Sequence, residues 1–158
     1  MSETRNMLVE SARIARGKVT DLAKVKAADF DGVVVVGGIG VPFNYCEFLD
    51  QRTPGDVDPT LERLLNETHA GGRPIGGVCV APLLLAKVFG KSGCTVTLGV
   101  IDNERAAMAR SLGANVVACR PEDCVVDARF RLVTTPAYMV ASGVGELTGI
   151  WKLAEEVV

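Results

Sequence analysis

Four consecutive valines, Val33 to Val36, stand between Asp31-Gly32 and Gly37-Gly38. A continuous β-branched run closed at both ends by turn residues suits a strand buried on both faces, and such strands belong to parallel sheets covered by helices. The rest of the chain must then supply the helices. Ser2 to Ala15 reads as a helix, with Ser2 as a possible cap and Gly17 as its stop. Asn44 to Asp58 is polar and turn-rich. Asp58-Pro59 opens a helix carrying Leu61, Leu64 and Leu65 and closed by Gly71-Gly72. Ile75 to Val78 follows as a short strand, Ala81 to Phe89 as a helix, Thr95 to Leu98 as a strand, and Asn103 to Leu112 as a helix that Gly113 ends. Val116 to Ala118 is a further strand. Cys124 to Asp127 and Phe130 to Thr134 form a hairpin around Ala128-Arg129, and a final helix groups Leu147, Ile150, Trp151, Ala154, Val157 and Val158 on one face. Such alternation predicts an α/β layered sandwich with a mostly parallel sheet.

A chain of 158 residues has the size of one domain, and residues 1–158 show no internal repeat, low-complexity tract or linker. Nothing in a formal net charge of -2 points to nucleic acid. No apolar run approaches the roughly 18 residues that cross a bilayer, and Met1 is followed by polar residues rather than a signal-peptide core. An intracellular protein is expected. The five cysteines, Cys46, Cys79, Cys94, Cys119 and Cys124, form no C-x-x-C pair, so free thiols in a reducing compartment fit best. With His69 as the single histidine, no metal site is expected.

Cys79 carries the strongest chemical signal. Ile75-Gly76-Gly77-Val78 runs into it as a strand, and Val80-Ala81-Pro82 starts a helix after it. A side chain at such a turn projects from the carboxyl end of the sheet, beside helix N–H groups that favour a thiolate and can stabilise an oxyanion. The stretch resembles the G-x-S-x-G nucleophile elbow, with Ala81 in place of the second glycine. Free cysteine is also among the most buried residue types, so a buried small hydrophobe is the competing reading.

The other candidates are weaker. Gly37-Gly38-Ile39-Gly40 lacks the third glycine of a dinucleotide loop and the Lys-Ser/Thr of a phosphate loop. It is either a plain tight turn or a place where backbone amides approach a ligand. His69, in the last turn of its helix, complements the helix dipole and should lie at the opposite end of the next strand from Cys79. No histidine-activated triad can be assembled. Cys119 and Cys124 could be a redox pair, but four intervening residues with Pro121 favour a connecting loop. Asn66-Glu67-Thr68 matches a glycosylation triplet but lies within a helix.

Val33-Val-Val-Val-Gly-Gly, the Cys79 segment GGVCVAP, and Val133-Thr-Thr-Pro-Ala-Tyr-Met139 before a last helix together resemble the DJ-1/PfpI superfamily. Within it they are most similar to the ElbB branch, also described as glyoxalase-like or class I glutamine amidotransferase-like. The resemblance implies a flavodoxin-like three-layer sandwich with a C-terminal hairpin and helix. It assigns Cys79 as the nucleophile, the amides of Gly38 and Val80 as oxyanion donors, and Asn44 to the pocket lining. The activity it implies is a lyase-type conversion of small dicarbonyls such as glyoxal to hydroxy acids, without cofactor. A redox- or metabolite-sensing relative is the alternative, and an amidase or amidotransferase the third. No histidine follows the elbow at Thr97 to Ile101, where better glyoxalases of the family carry one.

The opening SETRNMLVESARIARG resembles a helix inside that branch rather than its beginning. By this likeness the domain lacks its N-terminal strands and a glutamate that assists the cysteine. A homo-oligomer, or completion by a separate N-terminal segment, is then expected, with weak activity in this form. The branch implies a cytoplasmic location in bacteria or a mitochondrial one in eukaryotes.

Overall fold

The computed structural model describes residues 5–46 and 56–158. The valine run is β1 (Val33–Val36), and it pairs in parallel with β2 (Ile75–Val78), each valine opposite one residue of Ile75-Gly76-Gly77-Val78. On its other edge β2 pairs in parallel with β6 (Leu132–Thr135), which meets β5 (Val125–Asp127) in an antiparallel hairpin. The order of this four-stranded sheet is β1-β2-β6-β5. The fold is therefore α/β with a mostly parallel sheet, as the alternation predicts.

β3 (Thr95–Thr97) and β4 (Asn115–Val117) form a separate parallel pair. Side chains join it to the main sheet. The Thr97 N–H donates to Thr134 Oγ1 at 3.1 Å, and the Thr95 N–H donates to Asp127 Oδ2 at 2.6 Å. Thr134 is fully buried, so its hydroxyl would be costly without such a partner.

Helices cover both faces of β2. Gly76 looks toward α6 (Thr148–Val157), where an added Cβ would stand 3.0 Å from Leu153 Cδ2. Gly77 looks the other way, toward α4 (Ala81–Phe89), where a Cβ would stand 2.8 Å from Leu85 Cδ1. The glycine pair lets two helices approach one strand from opposite sides, which makes the three layers. The larger core lies on the α4 side and includes Leu65, Ile75, Leu84, Leu85, Val96 and Leu132.

α3 (Pro59–Ala70) begins as the sequence predicts: Asp58 accepts from the N–H groups of Thr60 and Leu61, with Pro59 in the first turn. α5 (Glu104–Ser111) is capped by Asn103 through the Ala106 N–H. α1 (Met7–Ile14) is shorter than expected and is capped by Asn6 through the Val9 N–H; Ser2 lies outside the described residues. α2 (Gly40–Tyr45) occupies what was expected to be the start of a loop, most of which, 47–55, also lies outside them. In α6 the predicted face is corrected. Gly149, Leu153 and Val157 are buried, whereas Trp151, Ala154 and Val158 point outward. The helix packs on β2 and β6 through Gly149, Leu153 and Val157, four residues apart, and Trp151 lies off that strip.

Gly77→Val should lower the free energy of unfolding by about 2 kcal/mol, because its branches meet the fully buried Leu85. Urea unfolding of the variant beside wild type measures this.

Candidate active site

At the end of β2 the chain turns through Cys79, which has φ +62°, in the left-handed region that non-glycine residues rarely occupy. The conformation costs about 1–2 kcal/mol and must be held by its surroundings. Three contacts do so. The Cys79 N–H donates to the Thr135 carbonyl at 2.9 Å, extending the β2–β6 pairing by one residue. Val80 returns to helical angles and its carbonyl accepts from Leu83 N–H at 3.0 Å, so α4 starts at once. On the far side lies Gly37. A Cβ there would collide with the Val78 carbonyl oxygen and come within 2.8 Å of Cys79 Cβ and 3.0 Å of Val80 N.

The structure thus brings the Gly37-Gly38 turn against the Cys79 turn. Gly38 has φ +105° with open space around its Cα, and no backbone hydrogen bond from the amides of Gly38 or Val80 is found among the described residues. Cys79 is half-buried, its body against the cluster of Val78, Val133, Ala137, Leu153 and Val157. A half-buried cysteine at a helix start, with the amides of Gly38 and Val80 unused by the backbone, suits nucleophilic addition to a carbonyl.

Asn44 is exposed on α2, the helix that follows the Gly37-Gly38 turn, and its Nδ2 donates to the Gly40 carbonyl at 2.7 Å, one turn back in its own helix. His69 sits where the sequence places it, far from Cys79. Its Nδ1 is 3.2 Å from the Phe130 carbonyl oxygen, and its ring stacks on Phe130 beside Phe89, at the end of the sheet where β2 and β6 begin.

A concavity of about 690 Å³ that does not include Cys79 opens beyond the ends of β3 and β4 and is lined in part by Gly99, Cys119, Arg120, Cys124, Val140 and Lys152. Asp123 on its wall takes an ion pair from Lys152 and another from Arg120 at 3.3 Å. These hydrogen bonds hold the Asp123 carboxyl below its usual range and the Lys152 ammonium above its own. Arg120 and Asp123 lie three apart in one loop, but Lys152 is on the outward face of α6, and no spacing rule links the three. Burial, then the charge of Asp123, pushes the Cys119 thiol up to about 11, and burial, then Glu156, also raises Cys124. Cys94 is pushed up to about 12 by burial and Asp127. Among the described residues no group of three or more His, Cys, Asp or Glu could hold a metal ion, and no helix is long and apolar enough to cross a membrane.

A cysteine at a left-handed strand-to-helix turn, walled by a glycine pair after the neighbouring parallel strand, places the chain among α/β proteins with an elbow at the carboxyl end of a parallel sheet. No family model matches the chain. It is 41% identical over 145 residues to the human glutamine amidotransferase-like class 1 domain-containing protein 3, mitochondrial, a match covering 87% of this chain and 53% of that protein. The chain spans about half the length of the curated relatives it matches. Among solved structures, an isoprenoid biosynthesis protein with amidotransferase-like domain from Ehrlichia chaffeensis superposes with a TM-score of 0.89 at 29% identity, over 99% of this chain and 72% of that one. The fold is shared, at 23% identity and a TM-score of 0.50, with a two-domain protein from Anabaena variabilis containing DJ-1/ThiJ/PfpI-like and ferritin-like domains; 76% of this chain and 30% of that one are covered. The chain is thus a relative of glutamine amidotransferase-like class 1 domain proteins, with the α/β fold of a DJ-1/ThiJ/PfpI-like domain.

Two outcomes follow from this geometry. Gly38→Ala meets open space and should cost only the strain of a positive φ, about 1 kcal/mol, whereas Gly37→Ala meets backbone and should cost about 2–3 kcal/mol. Denaturant melts of both variants check the order. Alkylation of Cys119 should be slow at neutral pH and rise roughly tenfold per pH unit until about pH 11, where its raised thiol ionises. Peptide-resolved mass spectrometry after timed iodoacetamide pulses follows it.

Proposed function

We propose that this domain is a cofactor-independent, glyoxalase-like cysteine enzyme acting on small dicarbonyls, with Cys79 as its nucleophile. The observation that carries the reading is the backbone of Cys79 itself, held at φ +62° between a helix start and the Gly37-Gly38 turn. Strain of this kind persists where the surroundings over-determine it, and it is a mark of functional positions.

The chemistry balances without a redox cofactor. The Cys79 sulfur adds to one aldehyde carbon of glyoxal, forming a carbon–sulfur bond, while the carbonyl oxygen takes the negative charge within reach of the Gly38 and Val80 amides. After that oxygen is protonated, a proton leaves the hemithioacetal carbon and one is delivered to the neighbouring carbonyl carbon. The first carbon is oxidised to a thioester and the second reduced to an alcohol. Water then cleaves the thioester, releasing glycolate and restoring the thiol. His69 takes no part, since it is stacked on Phe130. The lack of an imidazole beside Cys79 also argues against an amidase or amidotransferase, which must protonate a leaving amine.

The half-buried Cys79 also supports a second reading, in which peroxide converts its thiolate to a sulfenic acid and the protein serves as a sensor. For location, the human relative is described as mitochondrial, and cysteines with no C-x-x-C pair suit a reducing compartment of that kind.

Glyoxal and methylglyoxal consumption by wild type and Cys79→Ala tests the enzyme reading. Loss of at least about 100-fold in kcat/KM with the fold retained is expected. Equal turnover by both proteins contradicts it, and selective peroxide oxidation of an otherwise inert Cys79 establishes the sensor instead.

A further inference from the structure

The loop before β5 holds two thiols that the chemistry of Cys79 does not use. Cys119 and Cys124 both line the concavity, with Arg120, Pro121 and Asp123 between them on the same wall. Read from the sequence, the four intervening residues favour a plain connecting loop. In the structure they close on themselves. The Asp123 N–H donates to the Arg120 carbonyl at 3.1 Å, which makes Arg120-Pro121-Glu122-Asp123 a β-turn, with Pro121 in the second position, where its ring presets the backbone. Cys119 and Cys124 are the residues just outside this turn. Residues that flank a hairpin turn face each other without hydrogen bonds, at Cα separations of about 4.5 Å, and a disulfide spans separations of about 4.4–6.8 Å.

The side chains follow the backbone. Cys119 Sγ donates to the Arg120 carbonyl oxygen at 3.3 Å, the same oxygen that closes the turn, so the thiol lies over the turn rather than away from it. Charge on Cys124 is one of the influences that raise the Cys119 thiol, so the two sulfurs sense each other. The turn itself is held from outside. Thr135 Oγ1 donates to the Asp123 carbonyl at 2.9 Å, Thr148 Oγ1 to the Glu122 carbonyl at 3.4 Å, and the Gly149 N–H to the Pro121 carbonyl at 3.2 Å. Cys46 and Cys94 are buried, whereas Cys119 and Cys124 are half-buried and open to a small reagent through the concavity.

We propose that Cys119 and Cys124 form a site of reversible oxidative modification, in which a small-molecule disulfide entering the concavity converts the two thiols to an intramolecular disulfide. The Cys124 thiolate attacks one sulfur of the reagent, forming a mixed disulfide and expelling one thiolate, which takes up the proton that Cys124 has lost. The Cys119 thiolate then attacks the Cys124 sulfur, closing the ring and expelling the second. Two protein thiols are oxidised and one disulfide is reduced to two thiols. Raised thiols make both directions slow at neutral pH, since few thiolates are present to attack and sulfurs of high pKa leave poorly once bonded. The bond is therefore a latch. It ties together the ends of the turn that holds the first turn of α6 and Thr135, whose carbonyl receives the Cys79 N–H. The sulfur of Cys79 takes no part, so the inference stands apart from the activity proposed for it.

Exposure of the full chain to glutathione disulfide, in wild type and in Cys79→Ala, tests it. After an acid quench and alkylation of the remaining thiols, trypsin leaves residues 111–129 as one peptide, because Arg120 precedes Pro121. With circular dichroism unchanged, this peptide should accumulate in its unalkylated disulfide form equally in both chains, and exceed every other cysteine pairing at least about tenfold. Its closing should speed up about tenfold per pH unit between about pH 7 and pH 9, as the thiols ionise. Cys119→Ser should instead stop at a stable glutathione adduct on Cys124. Wild type that carries glutathione separately on Cys119 and Cys124 overturns the proposal, as does a peptide still alkylated at both cysteines after long exposure at pH 9. So does a Cys124 adduct as abundant in wild type as in Cys119→Ser, since the two sulfurs then do not meet.

Discussion

The spacing around β2 governs the rest of the molecule. Gly76 and Gly77 have no side chains to hold α6 and α4 away, so Leu153 and Leu85 come down onto the strand from opposite sides. Their approach fixes how closely α4 follows the end of β2, and leaves the chain a single residue, Cys79, in which to reverse. That residue takes a left-handed conformation because the start of α4 and the hydrogen bond to Thr135 allow it no other. Gly37 completes the arrangement by removing the one Cβ that would push β1 off the turn. Packing, strain and chemistry meet at one residue.

Polar side chains extend this core to the other strands. Thr134 and Asp127 receive the amides of Thr97 and Thr95, so β3 and β4 are attached to the main sheet by side chains. Thr135 Oγ1 donates to the Asp123 carbonyl at 2.9 Å, and Gly149 N–H donates to the Pro121 carbonyl at 3.2 Å, which ties the loop before β5 to the first turn of α6. A Cβ at Gly149 would stand 2.5 Å from the Pro121 oxygen. The same loop carries the thiols of Cys119 and Cys124, which burial and neighbouring carboxylates keep protonated at neutral pH. Cys79 differs from them in its backbone and in the helix start beside it.

Much of this was legible in the residues. Four valines between glycines announced a parallel strand, though of the expected burial on both faces only Val35 shows it, Val34 and Val36 being exposed; Asp58-Pro59 announced the start of α3, and GGVCVAP announced a strand passing into a helix through Cys79. These signals are local, written in turn chemistry and periodicity. What the sequence hid depends on distant partners. The buried face of α6 is set by a narrow contact with β2 and β6, so Leu153 is inside and Trp151 outside. The attachment of the separate β3–β4 pair to the main sheet rests on two side-chain hydrogen bonds with no periodic signature. Asn44 lies in a helix, where its amide turns back to Gly40, and the Arg120-Asp123-Lys152 cluster unites a loop with a helix 29 positions beyond Asp123.

The central claim is that the fold forces Cys79 into a left-handed backbone, and paired substitutions there measure it directly. In an ordinary conformation alanine is favoured over glycine by about 0.4–1 kcal/mol, through the smaller entropy it loses on folding. At φ +62° the order should invert, with Cys79→Gly more stable than Cys79→Ala by about 1 kcal/mol in urea unfolding. Equal stability, or a more stable Cys79→Ala, would contradict the account.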